Sequence, residues 1–75
     1  MDKDIYRLIV EKLVKLRDKH QIGTNDMANY IRVTRQSIYN FESMKRTSYK
    51  IMLAYMTHPA FSTEELASIY DLMGG

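Results

Sequence analysis

Apolar side chains in this chain recur every three or four residues, in short segments that open on a capping residue and close on a breaker. The first segment holds Ile5, Leu8, Ile9, Leu13 and Leu16 with charges in the gaps. That is the spacing of one helical face, and it predicts a helix over 3–19, with Gly23 marking the break after it. Thr24 is a good N-cap and Asp26 suits the first turn of a second, short helix ending near Ile31, with Met27, Ala28 and Ile31 inward. After Arg32 and Val33, Thr34 caps a third helix over 35–43, whose apolar Ile38 and Phe41 face inward. Ser48 caps a fourth helix over 49–57 with Ile51, Met52, Tyr55 and Met56 as core candidates, and His58-Pro59 stops it. Ser62-Thr63-Glu64-Glu65 is a capping-box pattern. It opens a fifth helix over 63–73, with Leu66, Ile69, Tyr70 and Met73 on one side. No segment alternates with period two and none repeats. The expected fold class is all-α: a compact bundle of four to five short helices in one domain over 1–75.

Seventy-five residues suit one domain, and a chain of this size buries only about 60% of its unfolded surface. There is no cysteine, which removes disulfides, thiolate chemistry and any cysteine-ligated metal. The two histidines, His20 and His58, are far apart in sequence. No metal site and no cofactor are expected. Nor is an enzyme: the chain has no Gly-rich phosphate loop and no His-centred acid–base cluster. No apolar run approaches the roughly 18 residues of a membrane span, and the mixed-charge start Met1-Asp2-Lys3-Asp4 lacks a signal-peptide apolar segment. A cytoplasmic, non-membrane protein is the expectation. The net charge of +2 is unevenly spread. All eleven Lys and Arg lie in residues 1–50, whereas residues 51–75 carry only Glu64, Glu65 and Asp71. A basic body with an acidic end suits a polyanion on one face, although an ordinary solvated surface also accommodates it.

Two short helices joined by three or four residues, the second opened by a Thr cap, form a helix-turn-helix pattern at about 24–43. In that motif the first helix braces the second, whose N-terminal residues meet base edges. The outer face of the second helix here carries Arg35, Gln36, Ser37, Tyr39 and Asn40, with no acid before Glu42. Arg matches guanine O6 and N7, and Gln or Asn matches adenine N6 and N7. A face built for solubility alone favours Glu and Lys. Glu42 is read as structural, paired with an Arg or Lys.

The run Thr24-Asn25-Asp26-Met27-Ala28, then Ile31-Arg32-Val33-Thr34-Arg35-Gln36-Ser37-Ile38, then Phe41-Glu42 resembles the Cro/C1-type, phage-repressor-like helix-turn-helix family. The likeness covers about residues 8–57. It implies a lambda-repressor-like bundle of four or five helices and a role in transcriptional regulation in phages, prophages, mobile elements or bacteria, often as a dimeric repressor. By position it implies base contacts from Arg35, Gln36 and Asn40, with Ser37 and Tyr39 adding base or phosphate contacts. Asn25 resembles a phosphate clamp. Thr34, Lys45, Arg46 and Arg32 are the further phosphate candidates. Some positions depart from the family's pattern. Arg32 stands where the family has its tight-turn Gly, so the helix must either end slightly differently or bear a left-handed backbone costing about 1 kcal/mol. Asn25 replaces the usual Gln, and Met44 replaces a common Gly.

Two functions remain open at this point. One is a sequence-specific regulator on double-stranded DNA. The other is a protein-interaction module on the same fold, an antirepressor or phage accessory factor that binds another regulator or polymerase. Lys45 and Arg46 suit a phosphate contact or a plain loop equally. In the C-terminal segment, Phe61, Leu66, Ile69, Tyr70, Leu72 and Met73 either form a homodimer seam or close the core. A dimer would set two recognition helices about 34 Å apart on a pseudo-palindromic site.

Overall fold

The computed structural model describes residues 1–74. Among them it contains five helices and no strand: α1 (Lys3–Lys19), α2 (Thr24–Ile31), α3 (Arg35–Glu42), α4 (Tyr49–Met56) and α5 (Thr63–Leu72). The all-α bundle expected from the spacing is present, with helix ends within a residue of those predicted. Among the described residues no helix is long and apolar enough to cross a membrane.

Most helix starts follow local chemistry. Asp2 Oδ1 accepts the Asp4 and Ile5 N–H groups at 2.7 and 3.4 Å. Thr34, Ser48 and Ser62 accept the N–H three residues on, from Ser37, Ile51 and Glu65. Each removes an otherwise unpaired donor of the first turn. Glu65 returns the bond to the Ser62 N–H at 2.9 Å and completes the expected capping box.

The start of α2 differs from expectation. Thr24 is already helical, and the N-cap is Gly23 in an extended conformation (φ −70°, ψ 159°). The Asp26 carboxylate accepts the Gly23 N–H at 3.2 Å. A Cβ on Gly23 would sit 3.3 Å from that carboxylate. Gly23 is therefore not the residue that ends α1. Gln21 does so in the left-handed region (φ 57°), with the Ile22 N–H bonded to the Arg17 carbonyl and the Gln21 N–H to the Asp18 carbonyl, both at 3.0 Å. This is the paired closure of a left-handed helix end, made here without glycine.

Of the two alternatives left open at Arg32, the structure has the strained one: its backbone is left-handed, at φ 68°, ψ 46°. Its N–H and that of Val33 both reach the Ala28 carbonyl, at 2.8 and 3.0 Å. Met44 is left-handed too, at φ 66°. Both side chains thus sit on a backbone that glycine adopts more readily.

The core draws on every helix. It takes Ile9 and Leu13 from α1, Met27 from α2, Ile38 and Phe41 from α3, Met52 and Tyr55 from α4 and Ile69 from α5. The buried face of α1 is rotated from the predicted stripe. Tyr6 and Val10 are inside, whereas Leu8 is 45% exposed. The Tyr6 hydroxyl accepts the Ser48 N–H at 2.9 Å, which lets a polar-tipped ring occupy the position. Tyr70, read as an inner residue of the last helix, is exposed. Phe61, Leu66 and Ile69 are buried, and Leu72 and Met73 pack against the core. The apolar content of the C-terminal segment therefore goes largely into the molecule's own interior.

Candidate nucleic-acid interface

α2 and α3 are eight residues each, joined by Arg32-Val33-Thr34. α3 packs against α2 and α1. Two fully buried side chains three residues apart, Ile38 and Phe41, fix its rotation about its own axis. The Phe41 ring lies 5.0 Å from Tyr55 and meets Tyr6 edge-on at 6.5 Å. With that side committed, Arg35, Gln36 and Tyr39 are forced outward, and all three are exposed. They line one open depression on the surface. Ser37 and Asn40 are half-buried at the edge of the same face, and with Arg46 and Ser48 they line a second.

Several of these side chains are tied to one another. Gln36 Nε2 donates to Asn40 Oδ1 at 3.0 Å. The Thr34 and Ser37 hydroxyls lie 2.9 Å apart, and Thr34 Oγ1 accepts the Ser37 N–H at 3.1 Å as the cap of α3. Lys45 Nζ sits 5.1 Å above the Tyr39 ring centroid, within cation–π reach. The Arg46 N–H donates to the Asn40 carbonyl at 3.1 Å, which fastens the basic connector to α3. Eight of the ten predicted site residues thus gather on α3 and its flanks. Asn25 and Arg32 stand at opposite ends of α2; both are exposed, and neither hydrogen-bonds to the α3 group.

The acid of α3 is turned away from this face. Glu42 accepts Arg17 Nε at 2.7 Å, Arg17 Nη2 at 2.9 Å and the Tyr55 hydroxyl at 2.6 Å. The Arg17 and Glu42 side chains are 12% and 13% exposed, and Tyr55 is fully buried. Arg17 also donates to the Ile22 carbonyl at 2.8 Å. The hydrogen bond to Glu42 raises the Arg17 guanidinium further above its ordinary value. Burial, reinforced by the bond to Glu42, pushes the Tyr55 phenol far up. The structural role expected of Glu42 is present, but its partner lies 25 residues back on α1. No local pattern marks Arg17, because the pairing exists only once α1 and α3 are packed. The outer face of α3 is consequently left with one Arg, two amides, a hydroxyl and a Tyr, and no negative charge to repel a polyanion.

A second ionic cluster lies elsewhere. Lys19 Nζ and His20 Nε2 reach Glu65 at 2.7 and 2.9 Å, joining the end of α1 to the start of α5. The Lys19 ammonium, the Ser62 N–H and His20 hold the Glu65 carboxyl at about 2 against an ordinary 4.5. No group of three or more His, Asp or Glu side chains suited to a metal occurs among the described residues.

No protein-family model, curated protein or solved structure matches this chain. The likeness to the Cro/C1-type family therefore rests on the motif residues quoted above.

Proposed function

We propose that this chain is a sequence-specific, double-stranded-DNA-binding transcriptional regulator of repressor or Cro-like type, with α2 and α3 as a helix-turn-helix and α3 entering the major groove. The observation that carries the proposal is the composition of the α3 face. Arg35, Gln36 and Tyr39 are exposed, Asn40 lies at their edge, and Glu42 is withdrawn into a pair with Arg17. In this reading Arg35, Gln36 and Asn40 contact bases, with Ser37 and Tyr39 beside them. Asn25, Arg32, Lys45 and Arg46 meet phosphates. Thr34 caps the helix by accepting the Ser37 N–H, and its exposed hydroxyl can still donate to a phosphate.

The test is selection of bound duplexes from a random pool at fixed salt, with the wild type and an Arg35→Ala/Gln36→Ala/Asn40→Ala variant in parallel. A wild-type consensus lost in the variant is the expected result, and a two-fold consensus would indicate a homodimer. No enrichment by the wild type would overturn the proposal.

A second reading, a protein-interaction module on the same fold, is favoured by exposed Tyr49 and Leu53, one turn apart on α4. These are more available to a partner than the side chains of α5, where Tyr70 alone among the large apolar residues is exposed. Binding to a defined protein without salt-dependent DNA affinity would select this reading.

A further inference from the structure

Resting on the DNA-binding reading, we infer that Gln36 and Asn40 read DNA as one unit, in which Asn40 is the positioning residue that sets Gln36 to select adenine. The two residues are one helical turn apart on α3, and Gln36 Nε2 donates to Asn40 Oδ1 at 3.0 Å. A glutamine amide has two N–H donors and one carbonyl acceptor, and an exposed glutamine can turn either end toward a base. The bond to Asn40 uses one N–H and fixes which end is which. In the inferred geometry Asn40 takes the N–H that points away from Oε1, which leaves the other N–H and Oε1 side by side. That pair complements the N7 acceptor and N6 amino donor of adenine. Guanine presents two acceptors, N7 and O6, in the same place, so Oε1 would face a lone pair there.

The anchor is itself held. Asn40 is half-buried, and its backbone carbonyl accepts the Arg46 N–H at 3.1 Å and the Ser43 hydroxyl at 3.5 Å. The connector after α3 thus fixes the Asn40 backbone from which its side chain reaches Gln36. Asn40 Nδ2 keeps both N–H groups for a neighbouring acceptor of its own.

Base preferences at fixed salt are compared for the wild type, Gln36→Ala, Asn40→Ala and Asn40→Asp. Gln36→Ala identifies the base pair that Gln36 reads, as the column whose preference disappears. In that column the wild type is expected to favour adenine over guanine by about 5- to 150-fold, the range of one bidentate contact. Asn40→Ala should reduce this to about threefold or less, while Asn40→Asp, which keeps an oxygen acceptor, should restore it even as total affinity falls. A merely structural Asn40 would lower affinity in all columns alike and would not distinguish Ala from Asp. Asn40→Leu, which also lacks an acceptor and is closer in volume, carries the same expectation should Asn40→Ala not fold. A wild-type guanine preference in the Gln36 column, or an adenine preference that survives Asn40→Ala, overturns the inference and leaves the DNA-binding reading standing. A wild type that selects no sequence overturns both.

Discussion

Replacing Glu42 with alanine should destabilise the whole bundle, and the structure sets the size of the effect. Glu42 is the shared acceptor for a two-pronged Arg17 contact and for the Tyr55 hydroxyl. Breaking a buried ion pair by removing one partner costs about 3–5 kcal/mol, because the remaining charge stays desolvated. Arg17 is 12% exposed and keeps the Ile22 carbonyl at 2.8 Å and Asp18 at 3.4 Å, which favours the lower end of that range. The Tyr55 hydroxyl, fully buried, loses its partner as well, a loss of about 1–3 kcal/mol when taken alone. The two losses share one acceptor and do not add in full. Together they predict about 3–4 kcal/mol, a large part of the roughly 4–11 kcal/mol available to a domain of this length. The melting temperature should fall by about 12–30 °C. Thermal and urea unfolding followed by helical circular dichroism measure it. Arg17→Met/Glu42→Leu, which removes both charges and fills the space, should recover much of the loss. A loss below about 1 kcal/mol for Glu42→Ala, or a double variant as damaged as the two single changes combined, would refute the reasoning.

Three further expectations follow from local geometry. Glu65 is held at about 2 by Lys19, the Ser62 N–H and His20, against an ordinary 4.5, so it stabilises the fold above about pH 4.5 and loses that effect as pH falls toward 2. Melting temperature should drop over that window in the wild type and less steeply in Glu65→Gln, and equal slopes would contradict the assignment. Arg32→Gly should raise stability by about 0.5–1 kcal/mol by relieving the left-handed backbone at φ 68°; an unchanged or lower urea midpoint would show that the turn is unstrained. Thr34→Ala removes the acceptor of the Ser37 N–H and should cost about 1 kcal/mol, read as a shifted urea midpoint with an unchanged slope.

The sequence alone determined the helices. Their lengths follow from three- and four-residue apolar spacing, and Thr34, Ser48 and Ser62 cap where short hydroxyl side chains can reach a free N–H. The outward-facing candidates of α3 were legible for the same reason. Once Ile38 and Phe41 are inside, the period of 3.6 leaves Arg35, Gln36 and Tyr39 no other side. Left-handed Arg32 was legible only by analogy with a glycine position, and left-handed Gln21 was not legible, since glutamine carries no such preference and the conformation is imposed by how α1 must hand over to α2. Tertiary structure also decided that Tyr6 rather than Leu8 is buried, because a buried tyrosine needs an acceptor or donor for its hydroxyl and Ser48, 42 residues away, supplies it. The same holds for Glu42. Its identity announced a structural acid, but its partners, Arg17 on α1 and Tyr55 on α4, meet it only when three helices have packed. Helical periodicity repeats along the chain and can be read from it, whereas an ion pair across 25 residues depends on the angle between two helix axes, which no local spacing encodes.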